Sequence, residues 1–217
     1  MAKWLVHVLV MVLVGTMVAM LTAEEGGKVI KLPPPQTEGG KPLMAALKGR
    51  CTTRSFSSKP LPIQVLSNLL WAACGVNRPE SGKRTAPTAM NMQEIDVYVA
   101  LPEGLYLYNA KEHQLEPVVM QDLRAATGRQ PFVAEAPLNL IYVADYARMA
   151  RASAEAKDFY SATDTGYISQ NVYLFCASEG LATVVRGMVD KAALAEKMGL
   201  RPEQKIVLAQ TVGYPKE

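Results

Sequence analysis

Arg50-Cys51-Thr52-Thr53-Arg54-Ser55-Phe56 places two guanidinium groups around two hydroxyls, directly after a short apolar stretch, Leu43 to Gly49, that reads as a helix. Guanidinium forks grip oxyanions through paired hydrogen bonds, and a hydroxyl adds a neutral donor, so the segment suits a phosphate. Taken alone, an R-x-T-x-R pattern is more often a plain polar loop. Its meaning depends on what surrounds it.

Working outward, Pro60 to Gly75 carries Pro62, Val65, Leu66, Leu69, Leu70 and Ala73 on one face. With proline early and glycine last, that spacing predicts a helix. Ile95 to Leu101 alternates like a strand, and Leu105 to Tyr108 reads as its hairpin or edge partner. Helices are predicted over Val118–Thr127 (ending at Gly128), Asp145 to about Lys157, Thr163–Glu179 and Lys191–Met198. In the third of these, Ile168, Val172, Phe175 and Cys176 form the buried stripe and Gly180 ends the helix. Leu138–Ala144 and Lys205–Val212 have strand character. Strands separated by helices, without a regular βα repeat, predict an α+β sandwich rather than a doubly wound sheet.

At the N-terminus Lys3 precedes an apolar run from Trp4 to Leu21, followed by Leu21-Thr22-Ala23 and the acidic pair Glu24-Glu25. This predicts a secretory signal peptide over residues 1–23 and an exported protein, periplasmic or secreted. The alternative is an uncleaved anchor, because the run is nearly long enough to span a bilayer. Residues 24–41 are rich in Gly, Pro and Glu, with Pro33-Pro34-Pro35, and read as an extended linker. The folded domain is then residues 42–217.

With 49% hydrophobic and 20% charged residues, the chain supports a packed body. The net charge of +3 falls to about +2 without Lys3, too mild for a nucleic acid or an anionic membrane surface as partner. Of three cysteines, Cys74 and Cys176 lie in apolar helical patterns and are expected to be buried. His113 is the only histidine beyond the signal segment, which removes a Ser-His-Asp arrangement and most zinc sites, so no metal is expected. There is no G-x-G-x-x-G. Gly82-Lys83 is followed by Arg84 where a P-loop needs Ser or Thr, and Asn77 stands at the first glycine position. Tyr106, Tyr108, Tyr142, Tyr146 and Tyr167 read as packing residues rather than a cofactor box.

Three further segments add to the first. Gly82-Lys83-Arg84-Thr85-Ala86-Pro87-Thr88-Ala89-Met90-Asn91-Met92-Gln93 precedes a strand, Gly166-Tyr167-Ile168-Ser169-Gln170-Asn171 opens the long helix predicted over Thr163–Glu179, and Gly180-Leu181-Ala182-Thr183-Val184-Val185-Arg186-Gly187 follows it. Their order and spacing resemble the nitroreductase family of FMN enzymes over nearly all of residues 42–217, nearest the branch that includes azoline-forming dehydrogenases. The resemblance implies a homodimeric sandwich with a mixed or antiparallel central sheet flanked by helices, and a flavin site at the subunit interface. It implies that Arg50, Thr52 and Arg54 bind the FMN phosphate. Pro87, Thr88 and Ala89 would reach the flavin of the partner subunit, and Asn91 would meet the flavin's polar edge. Val184 to Gly187 (in particular Val185, Arg186 and Gly187) would line the isoalloxazine ring. Two departures stand out. Arg186 replaces a Glu common in that loop, and the chain stops at Tyr214-Pro215-Lys216-Glu217, where many members continue and supply Lys or Arg to the phosphate.

The implied activity is hydride transfer through flavin N5 with ping-pong turnover, from a small-molecule donor to a small organic acceptor such as a nitro compound or quinone. No side-chain nucleophile or general base is needed, which fits a domain with one histidine, and Arg84 or Arg186 would steady the anionic reduced flavin. The alternative is an exported flavin-binding module of the same fold without NAD(P)H-driven turnover.

Overall fold

In the computed structural model, residues 27–216 are described. The predicted signal peptide lies outside them.

The chain folds around a seven-stranded sheet in the order β1-β6-β5-β4-β7-β9-β8, and every pairing in it is antiparallel. Strand β7 (Leu138–Asp145) is central, and all eight of its residues are buried, which is why it reads as an unbroken apolar run. It lies between β4 (Ile95–Leu101) and β9 (Gln204–Gly213), with Val99 opposite Leu140 and Ile141 opposite Ala209. Alternate side chains feed two cores. Val97, Val99, Leu140 and Tyr142 pack under helix α2 (Ile63–Cys74) and the long helix α4 (Ala154–Glu179), through Leu69, Leu70, Ile168 and Val172. Tyr98, Ala100, Ile141 and Val143 face the other way, toward Leu194 and Met198 of helix α5 (Lys191–Met198). This is the α+β sandwich the patterning predicts. Cys74 and Cys176 are buried in its first core, as expected.

Helix α1 (Leu43–Gly49) and strand β5 (Gly104–Asn109) also fall where predicted. Two predicted helices do not. Val118–Thr127 is divided between the end of strand β6 (Gln114–Val119) and a single tight turn, Arg124–Thr127. The Asp122 carboxylate accepts from the Arg124 N–H at 3.0 Å, a local bond that competes with helix propagation. Pro117 disguised the strand. It sits beyond the two residues that pair with β1 (Ile30–Lys31), so its missing N–H costs no ladder bond on that side. The helix expected from Asp145 to Lys157 is instead a tight turn, Tyr146–Met149, capped by Asp145. Helix α4 then starts at Ser153, whose side chain accepts from Ala156 N–H, and runs unbroken for 26 residues to Gly180, whose φ of 70° ends it in the left-handed region.

Residues 24–41 read as an extended linker. Its described part, residues 27–41, is extended, and from Ile30 onward the chain is docked. β1 pairs with β6, and Leu32 is buried. Ser67 Oγ donates to Pro33 O at 2.6 Å, and Gln64 Nε2 donates to Pro34 O at 3.0 Å. Ser67 is itself met by His113 Nε2 at 2.7 Å, and His113 Nδ1 by the Tyr108 hydroxyl at 2.9 Å.

Candidate functional site

Strand β8 (Ala182–Arg186), which the sequence reads as part of a loop, forms the sheet edge beside β9. The R-x-T-x-R segment runs along its outer side, with Thr53 N–H donating to Thr183 O at 3.0 Å. Tyr173 of α4 ties the two together. Its hydroxyl accepts from Val185 N–H at 3.0 Å and shares a hydrogen bond with Thr52 Oγ1 at 3.1 Å. The Arg50 guanidinium lies over the Tyr173 ring, 5.4 Å from its centroid. Among the described residues, neither Arg50 nor Arg54 gives its guanidinium to a carboxylate or carbonyl. Arg54 is exposed and Arg50 half-buried. Two uncommitted guanidiniums and a hydroxyl beside an edge strand form a ready oxyanion cradle, and a cleft of about 290 Å³ opens next to it between Thr53, Tyr173 and Thr183.

Chain closure adds to this edge. Phe56 bridges Pro215, and Lys216 N–H donates to Ser55 O at 3.4 Å, so Pro215 and Lys216 lie beside the cradle. Lys59 stacks on Tyr214 at 4.8 Å in the same place.

Pro87 to Asn91 lies elsewhere, in the turn that leads into β4. Met90, Asn91 and Gln93 all have positive φ, at 51°, 56° and 48°. Such backbone is uncommon for residues other than glycine and persists only where its surroundings hold it. The holding bonds are explicit. Asp164 Oδ2 accepts from Ala89 N–H at 2.9 Å, Thr88 Oγ1 from Gln93 N–H at 3.0 Å, and Asn91 Oδ1 from Gln93 Nε2 at 3.2 Å. Arg148 donates to Gln93 O at 2.7 Å and to both oxygens of Asp96. Beneath the turn, Glu94 is fully buried and neither of its carboxyl oxygens meets a donor. Burial, reinforced by the neighbouring Asp164 carboxyl, raises its pKa to about 7.

Asp164 and Tyr173 are nine residues apart on α4. At 3.6 residues per turn that separation is about half a revolution, and roughly 13 Å along the axis. One chain therefore holds Arg50, Thr52, Arg54 and Val185 at one end and face of α4, and Pro87, Thr88, Ala89 and Asn91 on the opposite face. The structure does not bring the two groups together within a single copy.

Gly187 is exposed at the end of β8, but the Arg186 side chain turns inward, away from that edge. Its guanidinium donates to Thr127 O at 2.6 Å, Asn139 Oδ1 at 2.9 Å and Thr211 Oγ1 at 2.9 Å. Burial lowers its pKa to about 10. The positive group expected beside the cofactor ring is here committed to the interior. Arg84 differs. It lines a polar cavity of about 460 Å³ walled by Asn91, Asp96, Tyr108, Asn109 and Arg148, and its buried Nε has no partner. Tyr173 escaped the sequence reading because it sits inside a helical pattern, and Glu94 because it stands alone ahead of a strand. Asp164 reads in the sequence as one of several scattered carboxylates on a solvated face, but it is buried; an acid on the buried face of a helix is the signal that could have found it.

An all-antiparallel α+β sandwich with two uncommitted guanidiniums beside its edge strand defines a sandwich with an anion site at its rim. The model of the Nitroreductase family matches residues 47–214, and the chain belongs to that family. It is 35% identical over 148 residues to a protein of Methanocaldococcus jannaschii assigned as a nitroreductase, spanning 64% of this chain and 74% of that one. A crystal structure from Ralstonia eutropha, also assigned as a nitroreductase, superposes with a TM-score of 0.85 at 45% identity, covering 90% of this chain and 93% of that one. At 19% identity the fold is shared with the NADPH:FMN oxidoreductase of Vibrio harveyi, with a TM-score of 0.61 over 81% of this chain and 69% of that one.

Proposed function

We propose that the protein is an FMN-dependent oxidoreductase that works as a homodimer and turns over a small organic acceptor, such as a nitro compound or quinone, by a ping-pong cycle. The observation that carries this is the cradle at the β8 edge, where Arg50 and Arg54 present uncommitted guanidiniums and Tyr173 clamps Thr52 to Val185. Those residues fit a flavin phosphate, and the exposed Gly187 leaves backbone open beside the strand that would flank the ring. FMN held there would supply hydride-transfer chemistry between a reduced donor and the acceptor. The chain's own residues bind and orient. Arg50, Thr52 and Arg54 hold the phosphate, Tyr173 fixes the spacing between that loop and β8, and Asp164 keeps the Thr88–Asn91 turn in its left-handed form.

Two copies are needed to complete the site, because the turn and the cradle lie on opposite faces of α4. A surface for the second copy is present. Phe159, Ala162, Thr163, Gly166, Tyr167 and Gln170 recur at helical spacing on the open side of α4, with Phe159 66% and Tyr167 47% exposed. A Cβ at Gly166 would meet nothing in this copy, so a helix-interior glycine that costs about 1 kcal/mol suits the close approach of a partner helix. The Pro87-Thr88-Ala89 turn supports a place near the azoline-forming branch, and Lys3 to Ala23 supports export with removal of the leader.

The test is a visible spectrum of the purified protein with FMN and then NADPH, with its mass in solution. Co-purifying flavin that bleaches with NADPH, on a dimer, is the expected result. Bound flavin indifferent to NADPH would favour a holding module or another donor. No retained flavin at high FMN would refute the cofactor assignment.

A further inference from the structure

We infer that the cavity beneath Asn91–Gln93 is a binding site for a small carboxylate-bearing molecule, with Arg84 as the charge that receives it. Two arginines line this cavity, and only one is committed. Arg148 is closed by Asp96 and by Gln93 O. Arg84 has no carboxylate or carbonyl partner among the described residues, and its Nε is buried without an acceptor. A guanidinium at a cavity wall with a desolvated, unanswered N–H is incomplete, and a planar carboxylate answers its fork bidentately.

The backbone makes this placement rigid. Val76 to Arg78 and Lys83–Arg84 form a small antiparallel hairpin, β2 and β3. Arg78 donates to Arg84 O at 2.7 Å, and Thr85 N–H donates to Gly75 O at 2.9 Å. These bonds fix the backbone from which the half-buried Arg84 side chain lines the cavity.

The remaining charges leave Arg84 as the unbalanced one. Asp96 accepts from Arg148, and Glu116 accepts from Asn109 Nδ2 at 2.7 Å and Gln114 Nε2 at 3.1 Å, so the lining carries Arg84, Lys111 and Arg148 against Asp96 and Glu116, one positive charge in excess. At about 460 Å³ the cavity falls in the range of small-molecule sites, and Leu107 and Tyr108 offer an apolar wall for the body of the ligand. Because Asn91 is both a cavity wall and a flavin contact in the proposed function, the occupant is read as a substrate of that reaction. The site itself rests only on Arg84 and the cavity.

Calorimetric titration with benzoate, benzamide and inorganic phosphate, on flavin-free and flavin-loaded protein, tests this. Benzoate should bind at least tenfold more tightly than benzamide and more tightly than phosphate. Arg84→Met should weaken benzoate at least tenfold, with Arg84→Lys recovering part of the loss. Equal binding of benzoate and benzamide by the unaltered protein would overturn the inference, even if Arg84→Met failed to fold. So would undiminished benzoate binding by a folded Arg84→Met protein, and a preference for phosphate would overturn the carboxylate assignment. A protein that binds benzoate selectively but never flavin would keep this site and refute the proposed function instead.

Discussion

Arg186, which is buried, and Arg84, half-buried with its Nε shielded from solvent, both lie near polar segments, yet their surroundings are opposite. Around Arg186 the accounts close. Thr127 O, Asn139 Oδ1 and Thr211 Oγ1 take its protons, Asn139 Nδ2 donates to Val133 O at 2.8 Å, and Thr211 Oγ1 sits 2.5 Å from Asn139 Oδ1. Around Arg84 and Glu94 they do not. An Nε and two carboxyl oxygens are buried without partners, and three non-glycine residues of positive φ, Met90, Asn91 and Gln93, lie within four positions above them. The satisfied cluster joins β7, β8 and β9 and behaves as architecture. The unsatisfied one is held ready for something, because buried polar groups without partners are rare unless a ligand or a proton completes them.

The largest break in that contrast comes from Arg186→Met. It takes the guanidinium's hydrogen bonds from Thr127 O, Asn139 Oδ1 and Thr211 Oγ1 in the interior, and a loss of about 3 kcal/mol in urea unfolding is expected. Arg84→Met, which strands no acceptor, should leave the urea midpoint nearly unchanged. Next, Arg50→Ala or Arg54→Ala should weaken flavin binding roughly ten- to hundredfold by the loss of a charge-assisted pair, with little change in unfolding midpoint. Fluorescence titration and urea melts on the same samples separate the two effects. A midpoint that falls as far as the affinity would mean that the cradle is structural after all.

Asp164→Ala removes the acceptor for Ala89 N–H, so faster hydrogen exchange over residues 85–93 is expected. Asp164→Asn keeps an acceptor and should restore most of the protection. The smallest effects are those of pH. Glu94 has a raised pKa in the fold, so the stability it lends is complete in acid and is lost as pH rises from the ordinary carboxylate range through about 7. Glu94→Gln should flatten that alkaline limb of a thermal-melt series. His113 has a lowered pKa because of burial, so its contribution is present at neutral pH and is lost as pH falls below the ordinary histidine range. His113→Gln should remove the acid limb and leave the alkaline one.

The sequence showed the layers well because they depend on periodicity. The single-face pattern of α2, the alternation of β4 and the unbroken run of β7 each report burial directly. It missed β6 and β8 for different reasons. A proline broke the strand pattern of the first, and the second is a five-residue edge between a helix terminator and a glycine. At the candidate site, Arg50 and Thr52 stand in one segment of the sequence and Val185 in another, and all three contact Tyr173, with Arg54 two residues beyond Thr52. Arg186 misled because sequence carries the charge of a side chain but not the side of the strand from which it projects. The pairing of Asp164 with the Thr88–Asn91 turn was illegible for a related reason. It joins residues 75 positions apart, and only the packing of α4 brings them into register.

The sheet order has a mechanical corollary. β1 and β8 are its two outermost strands, separated by six interstrand steps, or roughly 29 Å at about 4.8 Å each. The chain enters the body along β1, fastened there by the relay from Tyr108 through His113 and Ser67 to Pro33, while the proposed cofactor edge is β8. A pull on the N-terminus is therefore resisted at the rim farthest from the cradle, and an attachment at that end leaves the working rim facing away from its mooring.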